Sequence, residues 1–233
     1  MTNSQMIVCI LGMHRSGTSC LTGSLEQAGL VLGDVHTWNP YNQRGNRESQ
    51  AIVDFHDALL AANGGSWDQP PKKLRFCAKD VSRARALIEH SAGDGPWGFK
   101  DPRSLLALPV WQAAAPGVRF IGIFRHPLAV AESMRYRAGG KIPIQQGVAL
   151  WHHYNRLLYR AWKQQRFPIL CFDWEEAVFK QKVRDIQHEL GLQSGADGEP
   201  FYSSDLKHFD TSRWSGVAWR SRRLYRKLEA ACD

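Results

Sequence analysis

Short apolar runs alternate along this chain with stretches of helical periodicity. Residues 6–11 form a continuous apolar run rich in β-branched side chains, the pattern of a strand buried on both faces of a parallel sheet. Residues 118–124 and 167–172 repeat it, and residues 97–100 form a shorter strand running into Asp101-Pro102. Between the strands, apolar residues return every three or four positions. Leu21, Leu25 and Ala28 predict a helix over 18–30, and Ile52, Phe55, Leu59 and Leu60 predict one over 48–62, stopped by Asn63-Gly64-Gly65. Further helices are expected over 81–90, 103–115, 128–136, 174–190 and 214–231. The longest, Ile144–Gln164, carries Val148, Trp151, Tyr154, Leu158 and Ala161 on one face. Residues 31–45, 66–78 and 193–200 read as loop. Strands alternating with helices predict one α/β domain over 1–233, a central parallel β-sheet flanked by helices, with 214–231 as a basic appendage.

Composition narrows the class. At 43% hydrophobic and 22% charged residues, the chain is neither disordered, collagen-like nor a membrane bundle. Lys and Arg number 30 against 22 Asp and Glu, a net charge of +8, which favours anionic partners. Nucleotides, nucleic acid, sulfated or phosphorylated substrates and acidic membrane all fit that balance. The five cysteines are odd in number and contain no CxxC pair, so reduced thiols and a cytoplasmic setting are expected rather than zinc or a disulfide framework. The apolar run at 6–11 is too short for a signal-peptide core, no stretch is long enough to span a membrane, and the mature chain is expected to start at or near Met1.

The first candidate site is the turn GMHRSGTS at 12–19. Gly12 and Gly17 have the spacing of a phosphate loop, between a strand and a helix as that motif requires. Glycines let the backbone wrap an anion, successive N–H groups point inward, and the helix N-terminus adds positive potential. The context gives the domain a P-loop nucleotide-hydrolase-like character, although α/β proteins also use glycine turns without any ligand. Thr18 stands where nucleoside triphosphatases carry Lys, which weakens a kinase or hydrolase reading. Arg15 can supply a cation nearer the start of the turn.

The second candidate site begins at Arg125, which leaves the end of a buried strand, where α/β folds bind ligands. Pro127 suits the first turn of the next helix, and Ser133 lies about two turns into it. A guanidinium with a nearby hydroxyl suits a phosphate; taken alone, the pair reads equally well as a surface cation and a bland helix residue.

Together the HRSGTS loop, a strand ending Arg-x-Pro and a Ser eight positions after the Arg resemble the sulfotransferases that use 3′-phosphoadenosine 5′-phosphosulfate (PAPS) and release 3′-phosphoadenosine 5′-phosphate (PAP). The segment WGFKDPR at 97–103 resembles the KDPR segment of bacterial and carbohydrate-type members. PILCFDWE at 168–175 resembles their strand–helix junction, with Trp174 in place of the usual Tyr. The similarity covers roughly residues 6–190. It implies that His14, Arg15, Ser16, Gly17, Thr18 and Ser19 hold the 5′ end of the donor, that Arg125 and Ser133 hold its 3′-phosphate, and that no metal is needed. It also implies sulfuryl transfer to a hydroxyl or amine acceptor, a small molecule or glycan.

RGNRE at 44–48 is similar to the segment that carries the general base in tyrosylprotein- and carbohydrate-type members, which makes Glu48 the expected base. A carboxylate at the start of a helix is also favoured by the helix dipole alone, and that dipole weakens it as a base. Lys100, matching the KDPR Lys, and Arg15 are the expected catalytic cations. His14, His36 and His56 are rival bases. Asp101 and Arg103 are expected to pair and shape the loop. Adjacent His152 and His153 point to different helix faces and form no metal site. Two other functions remain open: a P-loop kinase or hydrolase with Asp173 as its magnesium acid, and a non-catalytic anion-binding module. No nucleic-acid motif is visible, and the basic residues near the C-terminus read as a solvated helix or as an aid to anion binding.

Overall fold

The computed structural model describes residues 5–38, 45–91, 95–193, 201, 209 and 211–232; the expected loop positions 39–44 and 194–200 lie outside these. One parallel sheet of β1 (Ile7–Leu11), β2 (Trp97–Lys100), β3 (Arg119–Phe124) and β4 (Ile169–Cys171) has the order β2-β1-β3-β4. The helices are α1 (Thr18–Gln27), α2 (Gln50–Ala62), α3 (Ala78–Ser91), α4 (Leu108–Ala114), α5 (Pro127–Arg137), α6 (Ile144–Gln164), α7 (Glu176–Glu189) and α8 (Trp219–Glu229).

Alternation along each strand explains why the apolar runs are continuous. Val8, Ile10, Ile121, Ile123 and Leu170 face a cluster completed by α1 and α7, through Leu21, Leu25, Phe179 and Val183. Cys9, Leu11, Phe120, Phe124 and Cys171 face the larger cluster beneath α2, α4, α6 and α8. Both faces are covered, as a parallel sheet requires. None of the five cysteines is in a disulfide.

Several expected helices differ at their starts: α3 begins three residues early, at Ala78, α7 two late, at Glu176, and three further differences have a local cause. The segment expected as one helix over 103–115 divides into a 3-10 turn, Pro102–Leu105, and α4. Pro109 has no N–H for a continuous helix, so the helix restarts with Pro109 in its first turn. Gly216, at φ +79°, turns the chain before α8, which begins at Trp219 instead of Trp214. Glu48 falls outside α2, because Ser49 is already extended (φ −78°, ψ 129°) and caps a helix starting at Gln50. No helix of the described residues is long and apolar enough to cross a membrane.

Two close approaches set the functional end of the sheet. A Cβ on Gly147 would lie 2.8 Å from the Ala131 Cβ, so α6 and α5 meet almost backbone to backbone. A Cβ on Gly17 would lie 2.3 Å from the Phe172 ring, so the turn after β1 rests directly on an aromatic beyond β4. Phe172 is backed by fully buried Phe179, with ring centroids 5.7 Å apart in an edge-to-face contact. Truncating Phe179 leaves a cavity there, and Phe179→Ala is expected to lower unfolding free energy by about 3–5 kcal/mol in a urea titration.

Candidate active site

The turn at 12–19 has the backbone of an anion cradle. Gly12 fits where a Cβ would meet the Ile123 carbonyl oxygen at 2.6 Å, and Gly17 takes φ +88° at the N-terminus of α1. Arg15 sits at φ +67°, a left-handed conformation that non-glycine residues seldom adopt. No side chain caps α1, so its first N–H groups are left toward the turn. Ser16 is fully buried and its Oγ has no hydrogen-bond partner among the described residues. A buried hydroxyl in that condition is costly, and an oxyanion held by the turn would satisfy it.

The Arg15 guanidinium turns away from the glycines: its Nε donates to Ser133 Oγ at 2.8 Å, joining the turn to α5. Arg125 leaves β3 buried, its guanidinium 5.2 Å from the Phe172 ring centroid and its Nε 3.3 Å from Asp173 Oδ1. Its carbonyl accepts from Trp151 Nε1 at 2.7 Å. Burial, then the charges of Arg137 and Arg125, lower the Arg15 pKa to about 10. Arg15, Arg125 and Ser133 therefore gather within one small region beside the turn, with Arg137 adding to the field. Like charges so placed favour an anion between them. Asp173 neither caps α7, whose N-cap is Glu175, nor stands open for a magnesium ion: its carboxylate takes Arg125 and the backbone N–H of His126.

Glu48 and Lys100 meet on the other side of the turn. Lys100 ends β2 with 2% of its surface exposed, its Nζ 2.7 Å from Glu48 Oε1 and 3.4 Å from Ser19 Oγ. Ser19 Oγ in turn donates to the Asn46 carbonyl at 3.0 Å. Local backbone structure brings Glu48 there. His36 N donates to Glu48 O, and Arg47 N to His36 O, both at 3.0 Å. Gly45 fits at φ +76° where a Cβ would be 2.4 Å from the Thr37 carbonyl carbon. Arg47, at φ +55°, is tied to Glu26 at 2.5 Å.

The histidines separate by environment. His56 is fully buried; Trp111 Nε1 donates to its Nε2 at 2.8 Å, so its other nitrogen, 3.6 Å from Asp101 Oδ1, carries the ring proton. Its lone pair is spent, which removes it as a base. Burial opposes ionisation of Asp101, but His56 and Arg103 outweigh that and hold its carboxyl below the usual carboxylate range. Arg103 pairs with Asp101 at 3.0 Å and with Asp57 at 2.7 Å, shaping the β2 exit as expected. His36 is exposed and bonds Gln50 Oε1 at 2.9 Å. His14 lies against Trp67, centroids 4.7 Å apart, and 6.1 Å from the Tyr154 ring. Tyr154 OH donates to the Trp67 carbonyl at 2.7 Å, pinning the 66–71 loop beside the turn. Spacing along the chain carried no signal for Trp67 or Arg137, and marked Tyr154 only as part of the apolar face of α6.

Among the described residues no three His, Cys, Asp or Glu side chains gather as a metal site would need.

A glycine turn between the first strand and first helix of a parallel sheet, with cations on both flanks, is the arrangement of the P-loop-like α/β folds. Residues 8–193 match the model of the Sulfotransferase family, and the chain belongs to that family. Its fold is similar to the sulfotransferase domain from the Synechococcus PCC 7002 olefin synthase, at TM-score 0.59 and 15% identity, covering 97% of this chain and 96% of that one. Sulfotransferase STF1 from Mycobacterium tuberculosis H37Rv matches at TM-score 0.46 and 15% identity, over 97% of this chain and 77% of that one. A gluconokinase from Sinorhizobium meliloti 1021 matches at 0.38 and 15%, over 80% and 94%. The activity this family and fold support is sulfuryl transfer.

Burial, reinforced by Arg103, lowers the His14 pKa from 6.5 to about 3. The folded protein thus keeps His14 neutral where the unfolded chain protonates it. Stability from this group is complete above pH 6.5 and is lost as pH falls toward 3. The loss is at most about 1.4 kcal/mol per pH unit, and His152 and His153, also lowered by burial, add with the same sign. Chemical denaturation at pH 7.0 and 5.0 is expected to show His14→Gln losing about 1–2 kcal/mol less than wild type over that interval.

Proposed function

We propose that this protein transfers a sulfuryl group from PAPS to a hydroxyl or amine acceptor, with Glu48 as general base. The observation that carries the reading is the pair of anion-binding regions joined by one turn: the cradle at 12–19, and the Arg15, Arg125 and Ser133 group 2.8–3.3 Å from their partners on α5 and beyond β4. A donor with phosphates at both its 5′ and 3′ positions has use for both regions, whereas ATP has use for one. The buried Ser16 hydroxyl, without a partner among the described residues, and the close-fitting Gly17 suit a phosphate in the cradle.

In this reading the turn N–H groups, Ser16, Thr18 and Ser19 bind the 5′ end, and Arg125 with Ser133 binds the 3′-phosphate. His14 lines the turn. Arg15 serves both ends, its backbone in the cradle and its guanidinium on Ser133. Bound there, the donor supplies an activated sulfuryl group. Glu48 takes the acceptor proton on Oε2, since Oε1 is held by Lys100. Lys100 orients that carboxylate and, through its contact with Ser19, adds positive charge where negative charge grows on the departing oxygen. The missing loop Lys at Thr18 and the engagement of Asp173 by Arg125 both weigh against a magnesium-dependent kinase.

Melting temperatures measured with PAP, and separately with ATP and magnesium, test the donor. A ligand at 100 times its Kd adds about 2.7 kcal/mol, so PAP is expected to give a clear rise and ATP little; a rise with ATP alone rejects the reading. Glu48→Gln is expected to keep the PAP shift while turnover falls by at least about 100-fold, the scale of general-base catalysis. Retained turnover moves the base elsewhere. Arg125→Ala is expected to weaken PAP far more than AMP, because AMP lacks the 3′-phosphate; equal losses by calorimetric titration refute the 3′ assignment.

A further inference from the structure

The surplus positive charge of the chain is concentrated in two helices. Across α6 three positions are Lys or Arg and none is acidic; across α8 five are Lys or Arg and one is acidic. Their net of +7 nearly equals the +8 of the whole protein.

These charges lie side by side. His152 Nδ1 is 3.1 Å from Ser221 Oγ, and the Lys227 ammonium is 5.6 Å from the Tyr159 ring centroid, so α6 and α8 run parallel. The second contact turns the row Arg220, Arg223 and Lys227 toward α6, while Ser221, Leu224, Tyr225 and Leu228 are buried beneath. Arg156, Arg160 and Lys163 of α6 are exposed. His152 is depressed by burial and then by both Arg220 and Arg156, which agrees with charges from the two helices meeting across the seam. Glu229, the one acid, belongs to the other edge of α8 with Arg222 and Arg226.

Two cations beside the seam rest on aromatic rings, Lys227 on Tyr159 and Arg166 on Trp162. Arg166 lies 3.6 Å from the Trp162 ring centroid, and Trp162 stacks on Tyr159 at 5.7 Å. With Arg166 and Lys227 seated over them, those rings anchor charge instead of offering stacking faces to the bases or sugars of a polymer. Trp219, at the start of α8, is 71% exposed beside Arg220. A face of exposed cations from two neighbouring helices, with an open Trp beside it, matches the headgroup region of a bilayer, where basic clusters adsorb and Trp settles at the interface.

We propose that the α6–α8 face docks this protein on membrane surfaces rich in anionic lipid. The proposal is independent of the donor and of the residues around Glu48. The test is sedimentation with vesicles of phosphatidylcholine alone and with phosphatidylglycerol added, at low and high salt. Wild type is expected to bind only the anionic vesicles and to be released by salt. A variant carrying Arg156→Ser, Arg160→Ser, Arg220→Ser and Arg223→Ser is expected to lose at least about 100-fold in partitioning, each cation near an anionic surface being worth about fivefold. A control variant removes four exposed cations elsewhere, Lys72, Lys73, Lys79 and Arg85, and is expected to bind like wild type. Urea midpoints equal to wild type establish that both variants fold; if the first variant does not, the double variant Arg156→Ser/Arg220→Ser, with an expected loss of about 25-fold, replaces it. Absence of wild-type binding to anionic vesicles, an equal loss in the control, or capture of wild type by heparin or RNA but not by vesicles each overturns the proposal.

Discussion

A buried ammonium organises the site. Lys100 ends the edge strand β2 with 2% of its surface exposed, and a charge so placed requires a partner. The partner comes from 52 residues earlier in the chain, on a segment with little regular structure. That pairing places residues 45–48 along α1, where Asn46 meets Ser19 at its start, Arg47 pairs with Glu26 in its last turn, and the His36 backbone pairs hold the segment. Ser19 closes the arrangement by bonding the same ammonium and the carbonyl of Asn46. The end of β2, the start of α1 and the strap over both are thus one electrostatic unit.

At the opposite flank of the turn the fold accepts the reverse situation. Arg15 is held partly out of water in the field of Arg137 and Arg125, and burial first, then those two charges, depress its pKa. Asp173, Ser133 and the Phe172 ring each take a share of that charge, so the guanidiniums are held in place before any ligand arrives. A site already oriented toward negative charge loses little in reorganisation when charge appears. The residues that hold it come from α5 and from the segment just beyond β4, distant in sequence and brought together by the parallel order of the sheet.

This division explains what could be read along the chain. All four strands were legible because a parallel sheet buries both faces and leaves continuous apolar runs, and α6 was legible to the residue because its apolar stripe is unbroken. Helix starts were less so: Pro109, Gly216 and the extended backbone at Ser49 decide them through local geometry that periodicity averages away. The glycine turn and the Arg125/Ser133 spacing were visible because a local backbone shape demands them. The Lys100–Glu48 pair, and the Arg15–Ser133 bond across 118 positions, depend on tertiary juxtaposition, which no spacing encodes. His56 shows the limit most plainly: proximity to Glu48 made it a rival base, but a Trp 55 positions away consumes its lone pair.

The contact of Gly147 with Ala131 gives α5 the character of a gauge block. With the two helices almost touching, α5 has no room to slide toward α6, and the distance from its start beside Arg125 to Ser133 is set by helical rise, about 9 Å over six residues. The backbone at this end of the molecule is therefore a rigid frame: the points from which the Arg125 and Ser133 side chains depart keep a constant spacing, and adjustment is left to the side chains alone.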